Sequence, residues 1–442
     1  MRAFAFEQLR AEISAVKSVH HIGRVVEVAR GVLMVSGLSG AAALGDLVEI
    51  GHGDRVRRGE VLQLHEDIVT VLPDGGADGL SIGDPVTHVG RNEIAPDDSW
   101  IGRVIDPFGQ SIDGRPILRG AKSRPLRAEA PNPTERKALG PRLETGLAVF
   151  NTLLPIVRGQ RVGLFAGSGV GKSTLLAKLA TGLQADVVVL AMIGERGREV
   201  REFVERVLGP DGMKRSVVVT ATSDQSPLVR RRCAWTAMAV AEYFRDQGRQ
   251  VLLLADSVTR FAEAHREIAL ATGESSSLRG FPPSTSHLIT SLCERSGPGI
   301  QSAGDITAVF TVLVAGSDMD EPIADILRGV LDGHVVLSRE IAERGRFPAI
   351  DLLRSVSRAL PDVASENENA LIRETRSLLG TYERSEMMAQ AGLYQHGTDP
   401  HLDKSIAVWP KLDRFLAESS ADGISRCFEK LEACLSVDEA QS

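Results

Sequence analysis

The sequence predicts an α/β protein in which a small all-β domain precedes a mainly parallel sheet and a helical domain follows it. Three observations support this fold class. Short β-branched runs alternate with Gly- and Asp-rich turns over residues 22–92, as in a small β-barrel or sandwich. From about residue 160, apolar Val, Leu and Ile runs alternate with helical segments, which is typical of a parallel sheet covered on both faces. After residue 361 strand signals fade and helical periodicity replaces them.

Composition excludes several classes of protein. The 442 residues suggest about three domains. Hydrophobic residues make up 43% and charged residues 25%, which rules out wholesale disorder. A net charge of -7 argues against a generally basic nucleic-acid binder, and four cysteines without a CxxC pair argue against a disulfide framework or zinc ribbon. With no apolar run long enough to span a membrane and no signal peptide, we expect a cytoplasmic protein.

Residues 1–21 have the pattern of an amphipathic helix. Phe6, Leu9, Ile13 and Val16 recur at spacings of 3, 4 and 3, which places them on one stripe. Such a helix either docks on its own domain or serves a partner or a membrane surface.

The remaining elements follow from local patterns. Residues 101–115 look like a hairpin around an Asp-Pro-Phe-Gly turn, and four prolines in 121–141 indicate an extended linker. In the all-β domain we expect strands at Arg24–Ala29, Val32–Ser36, Leu47–Ile50, Val61–Leu64 and Ile68–Leu72. In the core we expect strands at Arg161–Ala166, Ala185–Ile193, Val217–Ala221, Val251–Ala255, Leu288–Leu292 and Ile306–Val314. We expect helices at Lys172–Leu183, Glu199–Val207, Asn367–Tyr382 and Asp403–Leu416.

The strongest motif is a glycine-rich loop between a strand and a helix. Glycines allow successive backbone N–H groups to wrap around phosphate oxygens, and the following helix N-terminus adds positive potential. Lys172 would reach the β- and γ-phosphates, and the Ser173 hydroxyl would bind Mg²⁺. The strict pattern begins with Gly, whereas this chain has Ala166. The predicted ATP-binding residues of this motif are Gly167, Ser168, Gly169, Val170, Gly171, Lys172, Ser173 and Thr174.

Two further acidic residues follow apolar strands. Asp256 ends the Val-Leu-Leu-Leu-Ala run and would hold the waters of the metal ion. Glu195 follows another strand of the same sheet, so it would lie at the same edge and orient the attacking water. Arg196, next in the chain, could hold that carboxylate or approach a phosphate. The sequence therefore predicts an ATP and Mg²⁺ site that hydrolyses the nucleotide.

These motifs and several longer segments of the sequence resemble those of a known protein family. The chain resembles the rotary-ATPase-type RecA-like ATPases, and within them the ATPases of type III secretion, particularly the flagellar export ATPases. The resemblance covers nearly the whole chain, and several of its segments lie outside the nucleotide site. The segments that carry it include RGQRVGLFAGSGVGKSTLL, MIGERGREVREF, ATSDQSPLVRRRCAW, ILRGVLDGHVVLSREIAERGRFPAIDLLRSVSR and GTDPHLDKSI. It implies a β-barrel domain (22–92), a RecA-like P-loop ATP-binding domain (93–360) and a C-terminal helical domain (361–442).

The resemblance also implies residue roles. Glu195 matches the catalytic glutamate of the family, and Arg260 matches an arginine on the phosphate side. Phe347 matches the aromatic residue that stacks on adenine, and a looser match implies that Tyr394 flanks the base. Arg358 matches the arginine finger that reaches the γ-phosphate of a neighbouring subunit.

A chain that carries both the phosphate loop and a finger could complete its own sites by self-association. The resemblance implies a homo-hexamer at the cytoplasmic face of the inner membrane. It also implies partners: a regulatory stalk subunit, a stalk-like central protein, export chaperones, cargo and the export gate.

Three other functions share this nucleotide site. An injectisome ATPase has the same motifs as a flagellar one. An RNA-translocating hexameric motor would need stacking aromatics beside a positive groove, yet residues 22–92 contain no Phe, Tyr or Trp. The Arg230–Arg232 run is read as an interface or a solvated face, so we expect no nucleic-acid partner. A rotary ATP synthase subunit is the third alternative.

Overall fold

The computed structural model describes residues 9–14, 16, 18–29, 31–53, 56–277, 280–314, 319–420 and 422–436. Residues 9–14 are helical (α1), but 18–21 are not, so the predicted helix to residue 21 is wrong beyond α1. Phe6 of the predicted stripe lies outside the described residues. Leu9, Ile13 and Val16 are 56%, 65% and 76% exposed, so this stripe does not dock on its own domain. Because these apolar side chains are exposed, packing adds little stability to α1, and a short helix that is not stabilised by packing does not extend.

Residues 22–90 form a closed six-stranded barrel. Its strands are β1 (Ile22–Ala29), β2 (Val32–Ser36), β3 (Leu47–Ile50), β4 (Arg57–Leu64), β5 (Ile68–Pro73) and β6 (Pro85–Gly90). Antiparallel pairing in the order β1-β2-β5-β4-β3-β6 closes with a ladder between β1 and β6. Alternate side chains such as Val25, Leu33, Val48 and Val71 fill the interior. Of the two predicted architectures, barrel and sandwich, the barrel is confirmed.

The core is a nine-stranded sheet. Its strands are β8 (Arg103–Ile105), β10 (Arg161–Ala166), β11 (Val187–Glu195), β12 (Ser216–Thr222), β13 (Val251–Asp256), β14 (Gly297–Pro298), β15 (Asp305–Leu313), β16 (Gly333–Leu337) and β17 (Ile350–Ser357). Their order is β17-β16-β10-β15-β13-β11-β12-β8, with β14 beside β15, and only β17 and β14 pair antiparallel. A separate pair, β7 (Glu93–Ile94) and β9 (Arg124–Pro125), joins the segment before β8 to the predicted linker.

Helices cover both faces of this sheet. They are α2 (Ala148–Asn151), α3 (Lys172–Gly182), α4 (Gly197–Glu202), α5 (Gly209–Met213), α6 (Pro227–Asp246), α7 (Val258–Ala271), α8 (Ser284–Glu294), α9 (Pro322–Val330) and α10 (Arg339–Glu343). Leu190 shares one core with Leu175 of α3, whereas its neighbour Val189 shares the other core with Val240 of α6. The C-terminal helices are α11 (Glu366–Gln390), α12 (Pro400–Ala417) and α13 (Gly423–Leu435). The α/β architecture predicted from the sequence is thus confirmed.

One local prediction is wrong, and one holds only in short form. The predicted strand Leu288–Leu292 lies inside α8, where Ile289, Leu292 and Cys293 face the core at helical spacing. A five-residue apolar run fits either element by periodicity alone. The predicted hairpin at 101–115 is present in short form: an antiparallel bridge joins Ile105 to Ser111, and Ile112 N–H donates to Val104 O at 3.0 Å. Its first limb, β8, also pairs in parallel with β12.

The basic run at the start of α6 ties the barrel to the core. Arg231 is 3% exposed, and its Nη2 donates to Glu60 Oε1 of β4 at 2.8 Å. Arg127 donates to the same oxygen at 2.9 Å, and both guanidinium groups lie over the Trp235 ring. Arg232 is also buried and donates from Nε to Pro107 O at 2.8 Å. Of the two interpretations, interface or solvated face, the solvated face is therefore wrong for Arg231 and Arg232, which are buried in a contact within the chain.

Among the described residues, no helix combines the length and apolarity needed to cross a bilayer.

Candidate functional site

The glycine-rich loop lies at the carboxyl end of β10, where that strand turns into α3. Gly169 and Gly171 have φ values of +77° and +85°, in the left-handed region that favours glycine. Ser168 and Gly169 are exposed, whereas Val170 is buried and anchors the loop. The first turn of α3 therefore faces a concave stretch of backbone, the arrangement that binds phosphate.

Lys172, the first residue of α3, meets the two predicted acidic residues at this edge. Strands β11 and β13 are adjacent and parallel, so their carboxyl ends bring Glu195 and Asp256 to the same side. Lys172 Nζ contacts Asp256 Oδ1 and lies 3.6 Å from Glu195 Oε1. Thr311 of β15 donates its hydroxyl to Asp256 Oδ1 at 2.7 Å. The structure thus joins the three predicted residues into one cluster and adds a fourth that the sequence did not reveal.

The electrostatics of this cluster favour a protonatable glutamate. Burial raises the pKa of Glu195 to about 7, and the nearby charge of Asp256 acts in the same direction. Lys172 opposes the shift but does not cancel it. A carboxyl group that titrates near neutrality, 17% exposed at the end of a strand, is suited to exchanging a proton with a bound water.

The two arginines beside Glu195 are placed differently. A methyl group at Gly194 would lie 3.4 Å from Arg260 Cβ, so the stem of Arg260 packs beside the end of β11. Its guanidinium pairs with Glu263 at 2.9 Å and remains partly exposed. Arg196 projects into solvent, with Glu199 3.9 Å away. Arg260 is therefore beside the cluster, whereas Arg196 makes no contact with Glu195 in the structure.

Phe347 lies against the phosphate loop. A methyl group at Gly171 would lie only 3.0 Å from Phe347 Cδ1, and the ring is 47% exposed. One face of the aromatic ring thus remains available beside the loop, which suits stacking on a flat base.

Tyr394 and Arg358 do not join this cluster. The Tyr394 hydroxyl donates to Asp403 Oδ1 at 2.8 Å, in the segment between α11 and α12. Arg358 follows β17 and donates from Nη2 to Arg328 O at 3.0 Å, with its side chain exposed. Neither contact brings these residues to Lys172 within the chain.

The donor set suits a hard divalent cation. Asp256 Oδ1 is engaged by Lys172 and Thr311, while no described residue is recorded as a partner of Oδ2. Ser173 is exposed in the first turn of α3, beside Lys172. One carboxylate and one hydroxyl next to a phosphate site are the ligands with which proteins hold Mg²⁺ on a nucleotide. No group of three or more His, Cys, Asp or Glu side chains among the described residues could hold a metal ion independently.

Comparison with known proteins gives the family. The nucleotide-binding domain of the ATP synthase alpha/beta family matches residues 146–357, and the β-barrel domain of that family matches 18–90. The C-terminal domain of the T3SS EscN ATPase matches residues 364–431. A flagellum-specific ATP synthase from Caulobacter vibrioides is 42% identical over 428 residues, covering 94% of this chain and 96% of that protein. The chain belongs to the family of flagellum-specific and type III secretion ATPases. It is therefore an ATP hydrolase.

Other members of this ATPase family are similarly close. The type 3 secretion system ATPase of Xanthomonas euvesicatoria is 41% identical, covering 98% of this chain and 97% of that protein. The assembled ATPase EscN of enteropathogenic E. coli has a TM-score of 0.87 and 37% identity, covering 94% of this chain and 100% of that one. EscN in complex with its central stalk EscO gives a TM-score of 0.84 at the same identity and coverage. The three-part architecture is thus common to the family.

Proposed function

We propose that this chain is a Mg²⁺-dependent ATP hydrolase that energises protein export by the flagellar type III system. The observation that carries the proposal is the Lys172–Asp256–Glu195 cluster beside the phosphate loop. The similarity of the whole chain to flagellum-specific ATP synthases supports the flagellar system.

We propose that Lys172 exchanges its carboxylate partners for phosphate oxygens when the nucleotide binds. Its ammonium group contacts Asp256 and lies 3.6 Å from Glu195 Oε1. Phosphate oxygens of ATP would take its place as counterions, with the backbone of residues 167–171 donating hydrogen bonds. Phe347 would stack on the adenine base, and Arg260 would approach the phosphates from the end of β11. Ser173 and Asp256 would hold Mg²⁺, which supplies charge neutralisation at the phosphates when bound.

Glu195 would position the attacking water. Its carboxylate would accept a hydrogen bond from the water and take its proton as the water oxygen bonds to the γ-phosphorus, while the bond from that phosphorus to the bridging oxygen breaks and ADP leaves. The pKa of about 7 supports this role, because a base is most effective near the working pH. Arg196 is exposed and would act only after a rearrangement of α4.

Arg358 would act on the neighbouring subunit. Its exposed side chain makes no contact with the cluster in its own chain, which is what a residue acting in trans requires. A closed ring, for which we propose a homo-hexamer, gives each site a finger from the next protomer. Tyr394 would flank the base only if the α11–α12 segment moved, and its present hydrogen bond to Asp403 favours a structural role.

The partners follow from the family. EscN is known in complex with its central stalk EscO, so we propose a stalk-like central protein for this ring as well. A regulatory stalk subunit, chaperones with their cargo, and the export gate would complete the apparatus at the cytoplasmic face of the inner membrane. The α1 segment, with Leu9 and Ile13 exposed, is a suitable contact for the regulatory subunit.

The alternative is an injectisome ATPase. Its specific support is the 41% identity to the Xanthomonas euvesicatoria protein, close to the 42% for the Caulobacter flagellar one. Disruption of the gene should abolish secretion of flagellar rod and hook proteins, and loss of a virulence effector with normal motility would favour the injectisome.

A biochemical test addresses the ATPase itself. The purified chain should hydrolyse ATP with Mg²⁺, lose activity with a chelator, and regain it when Mg²⁺ is restored. Lys172→Ala should weaken ATP binding and turnover together, because it removes the cation at the phosphates. Lys178→Ala, an exposed lysine of the same helix that contacts Ser419, is the matched control. Unchanged affinity and rate in Lys172→Ala would contradict the proposed site.

A further inference from the structure

A short segment between α10 and β17 connects the nucleotide site to the C-terminal helices. In this Arg344–Phe347 segment two arginines flank Gly345, whose φ is +84°. Arg344 pairs with Glu386 of α11 through two contacts, Nη1 to Oε1 at 3.1 Å and Nη2 to Oε2 at 3.3 Å. Arg346 Nε lies 3.0 Å from Asp413 Oδ1 of α12. Each arginine therefore contacts a different C-terminal helix.

The Arg346 contact is the more buried of the two. Its side chain is 6% exposed, and its Nη2 donates to Ile350 O at 2.9 Å, at the start of β17. Asp413 lies off the N–H direction, so the contact is an ion pair rather than a directed hydrogen bond. Asp413 acts on this guanidinium together with Asp351 and Glu383, and it is the strongest of the three, so its loss would weaken the electrostatic support of a buried charge. The position of α12 and the position of this segment are thus linked in energy.

Apolar side chains join β17 to the C-terminal helices, since Leu352 shares one buried core with Leu379 of α11 and Leu412 of α12, but this packing is interrupted beside the two arginines. A cavity of about 230 Å³ lies there, lined by both arginines, Asp413 and Trp409 among others. At this open place the two ion pairs, rather than apolar contacts, link the two arginines of the segment to α11 and α12.

The other end of the segment reaches the nucleotide site. Phe347 follows Arg346 directly, and its ring lies against Gly171 of the phosphate loop. A shift of α11 or α12 that pulls on either arginine would move the ring by which the base is held.

We propose that Arg344 and Arg346 are positioning residues for the nucleotide: through their ion pairs to Glu386 and Asp413 they hold Phe347 at the place where the base stacks. The proposal rests on the proposed function, since it takes Phe347 as the contact of the base. It makes ATP affinity depend on the placement of the C-terminal helices without altering the chemistry at Glu195.

The test compares variants of the full chain with a ligand that has no base. Asp413→Asn and Glu386→Gln remove the counterions, and we expect the KM for ATP to rise about tenfold, the range for a charged contact, with kcat changed less than about twofold. Inhibition by tripolyphosphate should be unaffected, because it occupies the phosphate loop alone. Glu374→Gln is the matched control, since its pairing with Lys404 joins α11 to α12 without touching the segment.

Three results of this comparison would overturn the positioning role of the two arginines. An unchanged KM in both variants, equal weakening of ATP and tripolyphosphate, or a loss confined to kcat would overturn the proposal. If Asp413→Asn fails to fold, Glu386→Gln carries the test on the less buried pair. Exchanging the charges by combining Arg344→Glu with Glu386→Arg should restore the KM that either change alone raises, and no restoration would count against the pairing.

Phe347→Ala separates this proposal from the proposed function. If that variant binds ATP normally, base stacking at Phe347 is wrong, and the positioning role falls with it. If Phe347→Ala weakens ATP binding but the two counterion variants do not, base stacking stands and only the positioning role is refuted.

Discussion

At the scale of single residues, Glu195 is the group that we propose as the acid–base residue of the cluster. Its carboxyl group lies 3.6 Å from Lys172 at the end of a buried strand. Glu195→Gln keeps the shape and the hydrogen-bonding oxygen but cannot take a proton. We expect near-normal ATP binding with a loss of turnover of about 10²–10⁴-fold, the range for one acid–base group. Nucleotide binding and single-turnover hydrolysis measured side by side would check this, and near-normal hydrolysis would reject the role.

The pKa of this residue gives a second prediction. With a pKa of about 7, raised by burial and by Asp256, the carboxyl group is protonated and inactive below neutrality. The kcat/KM for ATP should therefore fall about tenfold per pH unit below pH 7, since this parameter reports ionisations of the free enzyme. The residual activity of Glu195→Gln should lack this acid limb. A limb that persists in the variant would assign it to another group.

Which site residues the sequence could reveal depended on their position along the chain. Lys172, Asp256 and Glu195 each follow an apolar strand within a recognisable local pattern, so their shared edge could be predicted. Thr311 could not, because it is one hydroxyl inside the apolar run of β15 and its role depends on the pairing of β15 with β13. Arg346 was missed for the same reason, since its partner lies on a helix over sixty residues away in the chain.

At the scale of elements, the contact between β4 and α6 fixes the barrel on the core. Glu60 accepts from both Arg231 and Arg127, and Arg231 is buried. Glu60→Gln leaves the Arg231 guanidinium without its charge partner, so we expect a loss of stability of about 3–5 kcal/mol. The urea midpoint of unfolding should fall accordingly, with the exposed Glu27→Gln of β1 as the control. An unchanged midpoint would show that Arg127 and Arg231 do not need this carboxylate.

Elements were predictable where periodicity and length agreed. Strands β2, β3 and β10 were predicted at the bounds that the structure gives them. The apolar run within α8 was misassigned because five residues do not distinguish the two periods. The turn of the hairpin could be predicted from its Asp-Pro-Phe-Gly sequence, whereas the contact of Asp113 with Arg103 at 2.7 Å, which also holds the second limb, could not.

At the scale of the whole molecule, we propose that Arg358 acts on the site of the neighbouring subunit. Arg358→Ala should fold normally, as an exposed change, and reduce hydrolysis by about 10³-fold. Mixing it with Glu195→Gln protein should recover activity up to about one quarter of the wild-type value, because one junction in four then combines an intact glutamate with an intact arginine. Activity of reassembled mixed rings measures this. Absence of recovery in rings proven to be mixed would argue against action in trans.

The order of the three domains could be predicted from the sequence, but the closure of the barrel could not. Alternating runs in 22–92 indicated strands, yet the choice of a barrel depended on the pairing of β1 with β6, more than fifty residues apart. Patterns of neighbouring residues specify elements, whereas such distant pairings depend on which surfaces meet after folding.

That closure has a consequence for how copies of the chain could meet. Because every strand of the barrel has two hydrogen-bonded neighbours, the described part of the N-terminal domain offers no unpaired backbone to an incoming strand. Contacts between the N-terminal domains of neighbouring protomers must therefore be made by side chains and loops. Protomers could then be added or released without breaking a continuous β-ladder.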